Sequence, residues 1–186
     1  RAFDGCTNLQ SIVIPEGVTQ IGGRVFKGCT KLADKNGFVI INNILFDYFG
    51  IGGDVVIPEG VTEIGDSAFW DCENLQSIVI PESVTEIGHW AFWGCTNLKS
   101  IVIPESVTYI GDYAFASCTS LTSITIPDSV TSIGQAVFYD CDSLTNITIP
   151  NSVTSIDDTV FKDCTNLISV IIPDSVTKMG DSVFDN

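Results

Sequence analysis

Apolar residues recur along this chain at a fixed spacing of 23 residues, while the polar residues between them vary. The segment SIVIPESVTEIGHWAFWGC, which starts at Ser77, returns as SIVIPESVTYIGDYAFASC from Ser100. A fixed period of this length is typical of solenoids, in which each repeat buries its apolar face against its neighbours. The pattern therefore predicts a stack of similar turns.

One unit of the repeat contains two kinds of apolar spacing. Alternate apolar residues from Leu75 to Ile80, followed by Pro81, predict a short strand that ends where a backbone donor is lost. Val84 and Ile87 are expected to point inward from a returning segment. The apolar residues after the glycine have helical spacing and predict one helical or 3-10 turn. A carboxylate directly after the glycine is expected to cap this turn, and the candidate caps are Asp66, Asp112 and Asp181.

One interval breaks the register. Pro15 and Pro58 end successive Ile-Pro pairs but stand 43 residues apart, so we place an insertion of 20 residues at about 33–54. Within it, residues 38–41 and 44–49 flank Asn42-Asn43, a pair that tolerates the positive φ angles of a two-residue turn. The insertion is predicted to be a β-hairpin that packs on the solenoid, within a single domain spanning residues 1–186.

The consensus L-x-x-I-x-I-P-x-x-V-T-x-I-G-x-x-A-F-x-x-C resembles the BspA-like subclass of leucine-rich repeats. The resemblance implies a curved right-handed leucine-rich repeat solenoid, with a parallel β-sheet on the concave face and short helical or 3-10 turns on the opposite arc. Among the departures from the consensus, Asp157 stands where other units have glycine, and Met179 where they have isoleucine.

Charge and hydropathy exclude several classes of function. Eight basic and 23 acidic residues give a net charge of −15, which opposes binding to nucleic acids and to anionic membrane surfaces. No apolar run approaches the roughly 18 residues needed to cross a bilayer. The chain opens in mid-repeat without a signal peptide, so we expect it to be a segment of a longer protein.

The residue types that usually act in catalysis or metal binding either recur once per repeat, as the cysteines do, or occur once, as histidine does. The odd number of cysteines and their shared repeat position predict buried thiols rather than disulfides or metal ligands. The single histidine, His89, lies on the predicted arc without a catalytic partner. We therefore predict no enzyme activity, no cofactor and no metal site, and interpret a column of acidic residues as a solvated edge: Glu59, Glu82, Glu105 and Asp128.

Aromatic residues outside the core positions form the first candidate binding site. Trp70 and Trp93 share one repeat position, and Trp90 and Tyr113 share another, so each pair should lie on adjacent turns. A single exposed patch could anchor a protein or stack on sugar rings. The alternative is that these rings shield the outer side of a thin helical layer. The candidate residues are Trp70, Trp90, Trp93, Tyr109, Tyr113 and Tyr139.

The predicted concave sheet face is the second candidate. Its outward positions are β-branched and weakly polar without convergent charges, which suits a broad protein contact better than a small-molecule pocket. The residues named for this face are Val79, Lys99, Val102, Thr125 and Thr148.

The resemblance implies a noncatalytic adhesion module of a surface or secreted protein that binds host matrix proteins, cell-surface proteins or other microbes. Two alternatives stay open. The first is a structural spacer that associates end to end, since uncapped solenoid ends expose apolar side chains and strand edges. The second is a carbohydrate-binding surface built on the tryptophans.

Overall fold

The computed structural model describes residues 2–15, 17–18 and 21–185. Within them the chain winds into stacked rungs, and equivalent residues of successive rungs are 23 positions apart. Each rung has three sides: a strand, a returning two-residue strand and an arc of tight turns. The predicted repeat solenoid is therefore confirmed.

The first side of the rungs forms a parallel sheet, as predicted for the L-x-x-I-x-I segments. Ile78 lies opposite Ile101, and Ile101 lies opposite Ile124, so the inward isoleucines form a continuous buried row. The strands are β3 (Gly53–Val56), β5 (Leu75–Val79), β7 (Ser100–Val102) and β9 (Ser123–Thr125), and the separate pair β11 (Asn146–Thr148) and β13 (Ser169–Ile171).

The returning segments form a second parallel sheet that the sequence did not predict. Each of its strands has only two residues, too few to display the alternation by which strands are recognised. The inward member, such as Ile87, is fully buried and was the only sequence signal. The strands are β4 (Glu63–Ile64), β6 (Glu86–Ile87), β8 (Tyr109–Ile110) and β10 (Ser132–Ile133), and the separate pair β12 (Ser155–Ile156) and β14 (Lys178–Met179).

The arc consists of hydrogen-bonded turns. The helical or 3-10 turn predicted between the glycine and the cysteine of each unit is absent from the described arcs, and the 3-10 turn at Thr30–Leu32 lies beyond the arc, directly after Cys29. Alternate backbone donors of the arc bond the next rung, as where Phe92 N–H donates to Ala114 O at 2.8 Å. Donors between them bond the residue three positions back, as where Trp93 N–H donates to Trp90 O at 3.1 Å. This arrangement places two residues of an arc, four positions apart, in the left-handed region, with φ of 54° at Trp90 and 74° at Gly94. A helix would use the same donors internally, so the ladder between rungs replaces it.

Stacked phenylalanine rings run through the centre of the solenoid. Their centroids are 5.1 to 5.9 Å apart and their planes lie within 8° of parallel, in the order Phe69, Phe92, Phe115, Phe138, Phe161 and Phe184. Cysteine thiols line the same core, and Cys118 Sγ donates to Phe92 O at 3.2 Å. All seven cysteines are free, and five are buried as predicted, whereas Cys6 is exposed and Cys72 is half-buried.

The insertion folds as the predicted β-hairpin. β1 (Phe38–Ile41) pairs antiparallel with β2 (Ile44–Tyr48), and Asn42 and Asn43 make the turn with φ of 50° and 64°. β2 then pairs in parallel with β4, so the hairpin joins the second sheet. The Tyr48 ring lies 5.2 Å from the Phe69 ring and extends the aromatic column of the larger core.

The hairpin also separates the first repeat from the rest of the stack. A small core of Val25, Phe26, Cys29, Val39 and Phe46 lies on one side, and the larger core lies on the other. Residues 9–15, which correspond to the first-side strand of the other rungs, form no strand. The insertion is therefore a wedge between two parts of the array rather than a loop added to one rung.

A second interruption of the sheets coincides with Asp157. Neither β9 and β11 nor β10 and β12 are paired as strands. In other rungs the equivalent glycine donates its N–H to the preceding rung, as from Gly111 to Ile87 O at 2.9 Å. A Cβ on Gly111 would lie 2.7 Å from His89 N, closer than real contacts allow. Asp157 places a Cβ where the other rungs make this close approach, and its N–H lacks the bond to the preceding rung that the equivalent glycines donate.

Candidate functional site

Two of the predicted aromatic residues, Trp70 and Trp93, stack on each other outside the arc. Their ring centroids are 4.4 Å apart, and the planes make an angle of 26°. Arg24 of the first repeat places its guanidinium carbon 4.6 Å from the centroid of the Trp70 ring. Because Arg24 and Trp93 come from rungs on opposite sides of Trp70, both faces of this indole are covered.

Trp90 and Tyr113 form a second stack, with centroids 6.1 Å apart. His89 adjoins this stack, with its ring 5.8 Å from Trp90 and 6.2 Å from Tyr109. Trp90 is 38% exposed, whereas the other five predicted aromatic residues are half-buried. Among the described residues no ring contact joins the two stacks, so the predicted patch is two neighbouring groups.

Tyr139 stands apart from both stacks. The carboxylate of Asp163 beside its hydroxyl raises the pKa of Tyr139 above its ordinary value. The rungs that follow the two stacks carry alanine at the equivalent positions, and both Ala116 and Ala136 are completely buried. Trp93 and Tyr113 occupy the equivalent positions one rung before these alanines, which is the arrangement that the shielding role left open by the sequence requires.

His89 belongs to a column of side chains that cap the next rung. Asp66 Oδ1 accepts His89 N–H at 2.8 Å, and Asp112 Oδ1 accepts Gln135 N–H at 2.9 Å. His89 continues the column, since its Nδ1 accepts Asp112 N–H at 2.9 Å. The predicted carboxylate caps therefore exist, but they bond the following rung instead of their own turn. Asp181 instead donates its own N–H to Asp158 Oδ1.

The second predicted site is a row of exposed side chains on the outward face of the first sheet. Val79 is 57% exposed and Val102 is 75% exposed, and Lys99, Thr125 and Thr148 are also exposed. The row extends to Val56 at one end and to Ile171 at the other, and we call these residues the valine row: Val56, Val79, Val102, Thr125, Thr148 and Ile171.

A cleft of about 440 Å³ between the first repeat and the next rung was not foreseen from the sequence. Its lining includes Arg24, Lys27, Asp47, Trp70 and Glu73. Burial raises the pKa of Asp47 to about 6, against the opposing effect of Arg24 and Lys27. No spacing rule connects Asp47 to these residues, because the hairpin alone brings it there.

We expect Asp47→Asn to stabilise the protein at pH 7.5 and to leave its stability at pH 4 nearly unchanged. Because the pKa of Asp47 rises from 3.8 to about 6 on folding, the native state holds the extra proton between these values, and stability falls as the pH rises through this range. Thermal unfolding of both proteins from pH 4 to pH 8 checks this. An equal shift in melting temperature at every pH would contradict it.

Other chemistry has little support in the described part of the chain. No group of three or more His, Cys, Asp or Glu side chains there is arranged to hold a metal ion. Burial raises the pKa of the Cys72 thiol to about 12, so this partly accessible cysteine is a poor nucleophile at neutral pH. The described residues also contain no helix long and apolar enough to span a bilayer.

The sequence profile of the BspA type leucine-rich repeat region matches six copies, over residues 1–99, 39–164 and 91–186. The chain belongs to this family. The match includes the rung interrupted at Asp157 and the hairpin. No functionally curated protein matches this BspA-type repeat chain.

Several solved bacterial structures are similar to this BspA-type chain. A leucine-rich repeat protein of Treponema pallidum is 30% identical over 80% of this chain and 85% of its own, with a TM-score of 0.63. One from Bacteroides ovatus is 37% identical, with a TM-score of 0.67 and coverage of 97% and 42%. A leucine-rich cell surface protein of Faecalibacterium prausnitzii is 34% identical, with a TM-score of 0.68 and coverage of 88% and 48%. The chain thus spans less than half of the latter two.

Proposed function

We propose that this BspA-type segment is a noncatalytic protein-binding module of a bacterial surface or secreted protein, and that it contacts its partner through the valine row. The exposed β-branched side chains that recur on the same side of successive rungs carry the proposal. Soluble proteins rarely leave a long contiguous apolar strip in water unless it serves an interface. Family membership and the likeness to a protein described as a cell surface protein support the location.

The geometry favours the valine row over the aromatic groups. Trp70 has both faces covered, by Arg24 and Trp93, so a sugar ring could stack on it only after displacing one of them. Val79 and Val102 need no rearrangement, because their side chains already face solvent. An interface on this strip would bury apolar area at about 25 cal/mol per Å² without opening the core.

The test is a binding assay of the purified segment on immobilised extracellular matrix proteins, mucins and glycans. We expect a protein ligand whose binding is lost in the double variant Val102→Lys/Thr125→Lys. A matched variant, Ser132→Lys/Gln135→Lys, adds the same charge at two exposed positions near the second sheet and should bind normally.

Two outcomes would contradict the proposal. Loss of binding in Trp90→Ala, with the valine-row variant unaffected, would move the site to the aromatic groups. Binding of the unmodified segment to glycans alone, with no protein ligand, would favour a carbohydrate-binding surface. Circular dichroism of each variant confirms that the fold is intact.

A further inference from the structure

The first sheet has an unoccupied edge inside the array. β3 is the outermost strand of its sheet and pairs only with β5. In an unbroken array the equivalent segment of the first repeat, residues 9–15, would lie on its other side. That segment forms no strand, and it packs instead against the small core beyond the hairpin through Leu9, Ile12 and Ile14.

The register defines which backbone groups are open. Gly53 donates its N–H to Asn74 O at 2.8 Å, and Ile57 donates to Val79 O at 3.0 Å, so these residues face β5. The N–H and C=O groups of successive residues in a strand point to opposite sides, and those of Asp54 and Val56 therefore face away from β5. Among the described residues no turn or loop backbone hydrogen bond uses these four groups, and β3 pairs with no strand besides β5.

Space for another strand exists beside this edge. A cleft of about 670 Å³ is lined by Asp54, Val55 and Val56 on the edge and by the base of the hairpin, including Phe38 and Phe49. No residue of the first repeat's strand segment contributes to the lining. Ile51 stands at the cleft with 94% of its surface exposed, an unusual position for a large apolar side chain.

Proteins normally protect open edges with charges, prolines or covering loops, because an open edge accepts a further strand. Here Pro58 lies just beyond the strand, and the only charged residue within β3 is Asp54. An extended backbone is the ligand that satisfies alternating donors and acceptors spaced along a strand.

We propose that the edge of β3 binds an extended peptide segment of a protein partner as an additional strand, and that this segment is basic with apolar residues at alternate positions. One set of its side chains would lie toward Phe38 and Phe49, and the other set would continue the valine row beyond Val56. Lys35 and Asp54 both line the cleft, so the preference for a basic segment comes from the rest of the chain, in which three basic but twenty acidic residues follow Lys35. This strand site goes beyond the broad face contact proposed above.

A suitable probe is the peptide LKSIVI, the sequence of Leu98–Ile103, acetylated, amidated and flanked by lysines. Its binding is measured by fluorescence anisotropy. We expect Val56→Pro to weaken binding about five- to twelvefold, because proline lacks the outward donor, and a lost hydrogen bond of about 1 to 1.5 kcal/mol corresponds to this factor. Proline is tolerated at an edge position whose N–H points away from the sheet.

Matched controls separate the backbone contact from side-chain effects. Val56→Thr keeps both the donor and the β-branched shape, and should change binding by less than about threefold. Two peptides are N-methylated on alternate residues. The peptide whose methyl groups block the N–H groups that face β3 should not bind, and the peptide methylated on the remaining residues should bind nearly normally. Hydrogen exchange adds a direct readout, since the Val56 amide should exchange rapidly in the free protein and slow down with peptide.

Several results would overturn the proposal. These are no peptide binding at millimolar concentration, equal binding to Val56→Pro, or a Val56 amide already protected without peptide. Concentration-dependent dimerisation that disappears in Val56→Pro would assign the edge to a second copy of the chain. The Val102→Lys/Thr125→Lys variant should still bind the peptide, so failure of the strand site and failure of the valine-row interface are distinguishable.

Discussion

Phe115→Ala is expected to lower the free energy of unfolding by about 4 kcal/mol. Phe115 is completely buried between Phe92 and Phe138, with ring centroids at 5.3 and 5.9 Å. Loss of a buried aromatic side chain costs roughly 3 to 5 kcal/mol when the site cannot collapse. Collapse is restricted here because backbone hydrogen bonds on both sides of the residue fix the spacing of the rungs, including Phe115 N–H to Val137 O at 3.0 Å.

Phe184→Ala is the control for this prediction, and urea unfolding gives both values. Phe184 occupies the same repeat position, but it is 41% exposed and stacks only on Phe161. We expect its replacement to cost about 1 kcal/mol, the range for a partly exposed aromatic pair. Equal losses in the two variants would mean that the aromatic column is not what holds the rungs together.

The sequence was sufficient to predict the fold because the repeat reports the core directly. Residues such as Ile78 and Phe92 are copied every 23 positions and lie against their own counterparts, so one unit describes the packing of all units. The hairpin was equally accessible, since Asn42-Asn43 between two apolar runs has a local physical meaning.

Features in which a hydrogen-bonding group can pair either within its own rung or with the next rung could not be predicted from the sequence of one unit. The arc has helical spacing, but alternate backbone donors bond carbonyl groups in the next rung, and that alternative cannot be read from one unit. The same holds for the capping column, where Asp66 bonds His89 of the following rung rather than its own turn. In both cases the stacking of rungs determines which group accepts the hydrogen bond.

The candidate surfaces differ in how far the sequence could predict them. The outward positions of Val79 and Val102 follow from strand alternation alone, and both are exposed. The aromatic residues were correctly paired between rungs, but Arg24 over Trp70 depends on how the hairpin seats the first repeat. The open edge of β3 has the same origin, because the wedge displaces the segment that would otherwise pair with it.

Gly111→Asp is expected to destabilise the protein by about 3 kcal/mol and to break the sheets at a new place. The added Cβ would meet the backbone of the preceding rung at His89 and Gly88, neither of which can move without loss of the ladder. Overpacking of this kind costs about 1 to 3 kcal/mol, and the displaced hydrogen bond from Gly111 N–H to Ile87 O costs about 1 kcal/mol more. Urea unfolding measures the loss, and hydrogen exchange locates the break.

Two further variants decide whether the close approach is the cause. Gly22 has the same repeat position, but a Cβ there meets no atom within 4 Å, so Gly22→Asp should change stability by less than about 0.5 kcal/mol. Asp157→Gly should raise the free energy of unfolding by about 1 kcal/mol, since the regained ladder bonds exceed the entropic cost of glycine. If Asp157→Gly instead destabilised the protein, the interruption between β10 and β12 would have a cause other than the side chain at this position.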